Sequence, residues 1–126
     1  MIPELAYADV GEASEWLCNA FGFRERLRIG NHRVQLVFGN GAVIVVELRG
    51  GGGDPTHSLL VRVDDAQAHH DRAASHGARI VSPPTDFPYG ERQYNVVDPG
   101  GHRWTFSESI ADVDPATWGG TLITDD

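Results

Sequence analysis

The residues best equipped for chemistry are six histidines, one cysteine, and a polar and aromatic run, "FPYGERQYN", ahead of the turn segment "DPGGHRWTF". Spacing limits what the histidines can do. His69 and His70 are adjacent, so on a helix they project about 100° apart. His70 and His76 are six positions apart, which misses the i, i+4 spacing of a helical pair sharing one ion. All three are read as partly exposed helix residues, and His102, beside the turn, as packing or capping locally. Cys18 is the only cysteine, so neither an internal disulfide nor a cysteine metal cluster is possible. It falls beside Leu17 in a helical stretch without a fixed cationic neighbour, which suits an inert buried thiol better than a nucleophile. There is no G-x-S-x-G elbow, and the run "GGGG" lacks the lysine and hydroxyl residue of a phosphate-cradling loop.

The remaining candidates suit recognition, and strands must position them. Strands are predicted at about 23–29, 32–39, 42–49, 57–63, 79–82, 91–97 and 102–108, where side chains alternate between faces. Parity assigns Glu47, Arg62, Arg103 and Thr105 to a cleft, and Trp104 and Phe106 to the core. The hairpin adds Phe87, Tyr89, Arg92, Gln93 and Tyr94 at or near the cleft rim. Aromatic rings there could stack on a planar ligand, while Arg and Gln fix its polar groups.

These strands belong to an internal repeat. "LAYADVGEASEWLCNAFGF" and "LVRVDDAQAHHDRAASHGA" each read as strand, aspartate, helix and glycine, with Asp9–Gly22 and Asp64–Gly77 both thirteen positions apart. In the first helix, Ala13, Trp16, Leu17, Ala20 and Phe21 form one apolar stripe, and Gly22 supplies the stop. The second, between Asp65 and His76, has alanine and histidine where the first has large apolar residues. Each copy reads β-α-β-β-β, and a single such unit cannot bury its own sheet, so two must pair. The boundaries are module one at 1–49, a glycine linker at 50–55, module two at 56–109 and a tail at 110–126, within a single domain. Trp118 in the tail could pack on the body or on a second subunit.

Composition excludes several function classes. With 40% hydrophobic and 22% charged residues the chain is a soluble globular protein, and no apolar run is long enough to span a membrane. No leader is evident, which leads to an expected cytoplasmic location. The formal charge of −8 argues against nucleic acid and would attract cationic ligands, although acidity also serves solubility.

The segment "PYGERQYNVVDPGGHRWTF" resembles the "WG-x-R…DP-x-G" hairpin of the bleomycin-resistance-like branch of the vicinal oxygen chelate superfamily. That superfamily includes glyoxalase I, extradiol dioxygenases and fosfomycin-modifying enzymes. The resemblance covers about residues 2 to 109 and implies an α+β fold in which two tandem βαβββ modules form a curved mixed sheet around a cleft. It also implies a homodimer whose clefts form between modules of the two chains. Metalloenzymes of the superfamily hold a divalent ion with four inward-facing His, Gln or Glu side chains. Here the corresponding positions carry Ile2, Ser58 and Thr105, with Glu47 or Val45 as the fourth, and His57 falls one residue out of register. No metal, cofactor or catalytic residue is therefore expected. The expected function is a metal-free protein that binds an aromatic or amphipathic small molecule, such as an antibiotic, with ligand contacts from Glu47, Arg62, Tyr89, Arg92, Gln93, Tyr94, Arg103 and Thr105. The alternatives are a metal-dependent isomerase, lyase or dioxygenase keeping Glu47 and His57, or a metal-free enzyme with Glu47 or a histidine as general base.

Overall fold

A computed structural model describes residues 1–48 and 57–123. The expected linker at 50–55 and the last three residues of the tail lie outside the described residues. Module one comprises β1 (Glu4–Tyr7), α1 (Val10–Phe21), β2 (Arg24–Ile29), β3 (Arg33–Phe38) and β4 (Gly41–Glu47). Module two comprises β5 (Ser58–Arg62), α2 (Ala66–Ser75), β6 (Arg79–Phe87), β7 (Glu91–Val97) and β8 (Arg103–Ser109), followed by a short 3-10 turn at Pro115–Trp118. The strands form two four-stranded mixed sheets, ordered β1-β4-β3-β2 and β5-β8-β7-β6. In each sheet the first strand of its module runs parallel to the last, and the other pairs are antiparallel. The chain therefore has the α+β fold of two tandem βαβββ modules.

The helices start where an aspartate side chain can accept a backbone N–H, relieving one of the unpaired donors of a first turn. Asp9 accepts from Glu12 N at 2.9 Å, and Asp65 accepts from Ala68 N at 3.0 Å. The repeat anchor in module two is thus Asp65, one residue beyond Asp64, and α2 is shorter than α1. Gly22 ends α1 in the left-handed region, at φ 84°, where a side chain would be strained.

One hydrophobic cluster joins the helix-facing sides of both sheets. Phe21 lies at its centre, fully buried and edge-on to Trp16, Trp104 and Phe106. Polar groups cross the same seam and satisfy both helix ends. Arg72 of α2 donates Nε–H to the Asn19 carbonyl at 2.8 Å, and Trp16 of α1 donates its indole N–H to the His76 carbonyl at 3.1 Å. Each helix therefore supplies donors to the C-terminal carbonyls of the other, where partial negative charge collects. This packing leaves the opposite face of each sheet free to carry polar side chains.

The largest departure from the expected elements is β6, which runs from Arg79 to Phe87 rather than stopping near 82. Pro83 and Pro84 argue against a strand because neither has a backbone donor. They are accommodated because β6 is an edge strand and its register shifts between Ile80 and Ser82 and between Ser82 and Thr85.

Candidate functional site

The candidate site is the face of the second sheet turned away from the helices, where strand register stacks side chains in rows. At the turn end, Arg79 pairs with Val97, Val97 with Arg103 and Arg103 with Ser58. The next row is Ser82, Asn95, Thr105 and Leu60, and the third is Thr85, Gln93, Ser107 and Arg62. On β5, β7 and β8 successive row members are two residues apart and share a face; on β6 they are three apart, with a register shift between each.

The polar groups of this face are bonded to one another. Thr105 donates its hydroxyl to Asn95 Oδ1 at 2.6 Å, and Asn95 Nδ2 donates to Ser82 Oγ at 2.6 Å. Gln93 Nε2 donates to Ser107 Oγ at 3.1 Å, and Ser107 in turn donates to Glu91 Oε1 at 2.9 Å. Glu91 also forms an ion pair with Arg62, and the Tyr89 hydroxyl donates to Gln93 Oε1 at 3.1 Å. Tyr89 stacks on Phe87 at 5.3 Å, and Trp118 from the tail meets its edge at 5.7 Å. A pocket of about 600 Å³ opens beside the first two rows, lined by Ser58, Arg79, Asn95, Gly101, Arg103 and Thr105 among others. Such a surface can hold a small molecule by hydrogen bonds, with aromatic rings at one end.

Of the expected ligand contacts, the fold gathers Arg62, Tyr89, Gln93, Arg103 and Thr105 and turns three others away. Tyr94 is fully buried, packed on Phe106 on the helix side. Arg92, on the same parity, grips Asp86 through Nε and Nη2 at 2.6 and 3.1 Å. Strand alternation permits only one of two neighbouring residues to share a face, so Gln93 separates from both. Glu47 continues the series of Val43 and Val45, which are buried beneath the helices, and ends exposed at the rim of that side. The cleft parity of β4 belongs instead to Ala42, Ile44 and Val46. Glu91, Asn95 and Ser107 were not among the expected contacts, although the alternation of β7 from Gln93 points to the first two.

The donor set does not fit the family's divalent ion. Ile2 has no donor atom, the Thr105 hydroxyl is committed to Asn95, and Glu47 is on the wrong face. Among the described residues, no three His, Cys, Asp or Glu side chains converge as ligands would. His57 lies on the helix side near His102, their rings 6.1 Å apart.

The back of the sheet is held by two buried polar knots. Asp98, 4% exposed, accepts from the Tyr7 hydroxyl, from Trp104 Nε1 at 2.9 Å, and from the backbone N–H groups of Gly100 and His102, each at 3.0 Å. The "DPGG" turn is thereby tied to the first strand of module one, and burial followed by the Asp98 charge pushes the Tyr7 phenol above its ordinary range. His102 is likewise more than a local cap, because its Nε2 donates to the Ala6 carbonyl at 2.8 Å. His69, expected as a partly exposed helix residue, is partly exposed on α2, and its ring also bridges the modules: it donates Nε2–H to the Phe21 carbonyl at 2.8 Å and accepts from the Tyr94 hydroxyl at Nδ1. Burial is the main cause holding its pKa below the usual histidine value. Cys18 is half-buried, and burial, then Glu25, raises its thiol pKa, so it stays protonated.

The double βαβββ plan, the hairpin and the comparison with known sequences agree on a class. Residues 3–106 match the family model described as the Glyoxalase/Bleomycin resistance protein/Dioxygenase superfamily, and the chain belongs to that family. Its fold is similar to that of TioX from Micromonospora sp. ML1, with a TM-score of 0.76, 37% identity, and coverage of 90% of this chain and 98% of that one. It is also similar in fold to the fosfomycin resistance protein FosX from Listeria monocytogenes, with a TM-score of 0.71 at 13% identity over 86% of this chain and 90% of that one. A protein from Mycobacterium bovis is 27% identical, over 88% of this chain and 84% of its own length.

Proposed function

We propose that this chain is a metal-free small-molecule-binding protein of the bleomycin-resistance-like branch, sequestering an aromatic or amphipathic compound without transforming it. The observation that carries this reading is the replacement of the family's metal donors by Ile2, Ser58 and a Thr105 already bonded to Asn95. The surrounding face offers hydroxyls, amides and rings suited to recognition, and no paired acid and base. FosX, a fold relative, is named as a fosfomycin resistance protein, and a role in tolerating a toxic compound is a natural extension for this chain.

The site would be completed by a second copy. Ile2, Leu60 and Val81 are 47%, 57% and 63% exposed, and β1 and β5 are each at the edge of their sheet. Laying the first sheet of one chain beside the second sheet of another would cover these residues and enclose the ligand.

The reading is tested by titrating a chemically broad panel of aromatic and amphipathic compounds while following tryptophan fluorescence. Saturable binding that weakens in Asn95→Ala, with the compound recovered unchanged, is the expected result. Turnover of a bound compound, or no binding across the panel, would sink it. Elemental analysis of protein purified without a chelator or affinity tag supplies an independent check, because stoichiometric transition metal contradicts the metal-free reading.

A further inference from the structure

We propose that the row at the turn end of this face is an anion pocket, in which Arg79 and Arg103 together take the carboxylate, sulfonate or phosphate group of the ligand. The inference rests on the small-molecule reading above and names the ligand's charge. All ten cationic residues of the sequence are arginines, and most of those described have a partner. Arg28, Arg33, Arg62 and Arg92 form ion pairs with Glu25, Glu4, Glu91 and Asp86. Arg26 donates to Gln35, and Arg72 donates to the carbonyls at the end of α1. Arg79 and Arg103 make neither an ion pair nor a side-chain hydrogen bond among the described residues.

Register places these two free guanidinium groups together. Arg79 and Arg103 flank Val97 in one row, on the two strands either side of β7. Strands two apart in a sheet are separated by on the order of 10 Å, a gap that two long side chains can close around one small anion. Both line the pocket of about 600 Å³, together with Ser58, Asn95, Thr105 and Gly101, and no carboxylate is among its lining residues. Two guanidinium groups with hydroxyl and amide neighbours suit a planar or tetrahedral oxyanion, which arginine binds with paired donors. Val81 borders the same pocket and Leu60 ends the next row, so the anion's body is apolar. The net charge of −8 leads to the opposite expectation, a cationic ligand, but that charge is a sum over the whole surface. Local potential in a cleft follows the groups that line it.

The experiment compares two probes sharing one ring system, naphthalene-2-carboxylate and (naphthalen-2-yl)methylammonium, by isothermal titration calorimetry at low salt. The carboxylate should bind about tenfold more tightly. Arg79→Gln and Arg103→Gln should each remove most of that preference, while Arg24→Gln on the other sheet leaves it unchanged. Inorganic phosphate should also shift the backbone amide resonances of Gly101 and Arg103. Equal affinity for the two probes, tighter binding of the ammonium, or indifference to the Arg79 and Arg103 substitutions would overturn the pocket. So would no binding of the carboxylate together with no phosphate shift. If those results came with saturable binding of other compounds in the fluorescence panel, the sequestration reading would survive the loss of the pocket. Binding and turnover of an anionic compound dependent on both arginines would instead retain the pocket and refute sequestration.

Discussion

Protonating one imidazole, that of His69, would break a part-buried contact between the two modules. The ring is held neutral, accepting from Tyr94 at one nitrogen and donating to the Phe21 carbonyl from the other. Its folded pKa is lowered, chiefly by burial, while in the unfolded chain it returns to the ordinary value of about 6.5. The unfolded state then binds more protons than the folded state in the window below that value. The contribution of His69 is full above about pH 6.5 and is lost as pH falls towards its folded pKa. Denaturant titrations at pH 7.5 and pH 5.5 should show a loss of stability on acidification that is smaller in His69→Gln; an equal loss in both proteins would refute this role. Asp98 is the other residue whose removal should be felt across the molecule. Asp98→Ala strands the Trp104 and Tyr7 donors in the core, and a cost of about 3 kcal/mol is expected from buried groups losing a charged acceptor. A change below about 1 kcal/mol in a urea titration would mean that the knot is not structural. The role of His69 was not legible in spacing, because Phe21 and Tyr94 are distant in sequence; the partners of Asp98 in its own turn are local, and only its bond to Tyr7 spans the two modules.

At the scale of elements, the tail is fixed by the β6–β7 turn. The amides of Ile110 and Ala111 donate to the Gly90 carbonyl at 2.9 and 3.2 Å, and Gly90 has φ 84°. A Cβ at that position would approach the Ala111 carbonyl oxygen to 2.2 Å, and both backbones would have to shift. Gly90→Ala should therefore cost more than about 1 kcal/mol and free the tail that brings Trp118 against Tyr89. A thermal melt reads the first effect, and increased exposure of one tryptophan to an aqueous quencher reads the second; wild-type values for both would exclude this anchoring. The type and order of the elements were largely legible because helix and strand periods differ and the repeat states the plan twice. β6 was cut short because proline is a poor strand residue wherever both edges are paired, and sequence does not reveal that this strand lies at an edge.

For the whole molecule, the decisive question is what covers the two sheet faces turned away from the helices. If a second copy covers them, sedimentation equilibrium should give a two-chain mass. Leu60→Glu, on the exposed row beside Thr105, should shift the protein towards one chain and weaken ligand binding in parallel. A wild-type protein that stays a single chain at high concentration would overturn the shared-cleft arrangement. The sequence by itself determined the modules, the apolar stripe of α1, the burial of Trp104 and Phe106, and the absence of a donor at Ile2. Each of these follows from local periodicity or from side-chain chemistry. Tertiary structure decided which polar residues share a surface. It decided that Gln93, and not Arg92 or Tyr94, faces the site, turned Glu47 to the helix side, and set Arg79 in line with Arg103. The physical reason is register: alternation fixes only the relative faces within one strand, whereas the alignment of neighbouring strands depends on turns, bulges and packing contributed by distant parts of the chain.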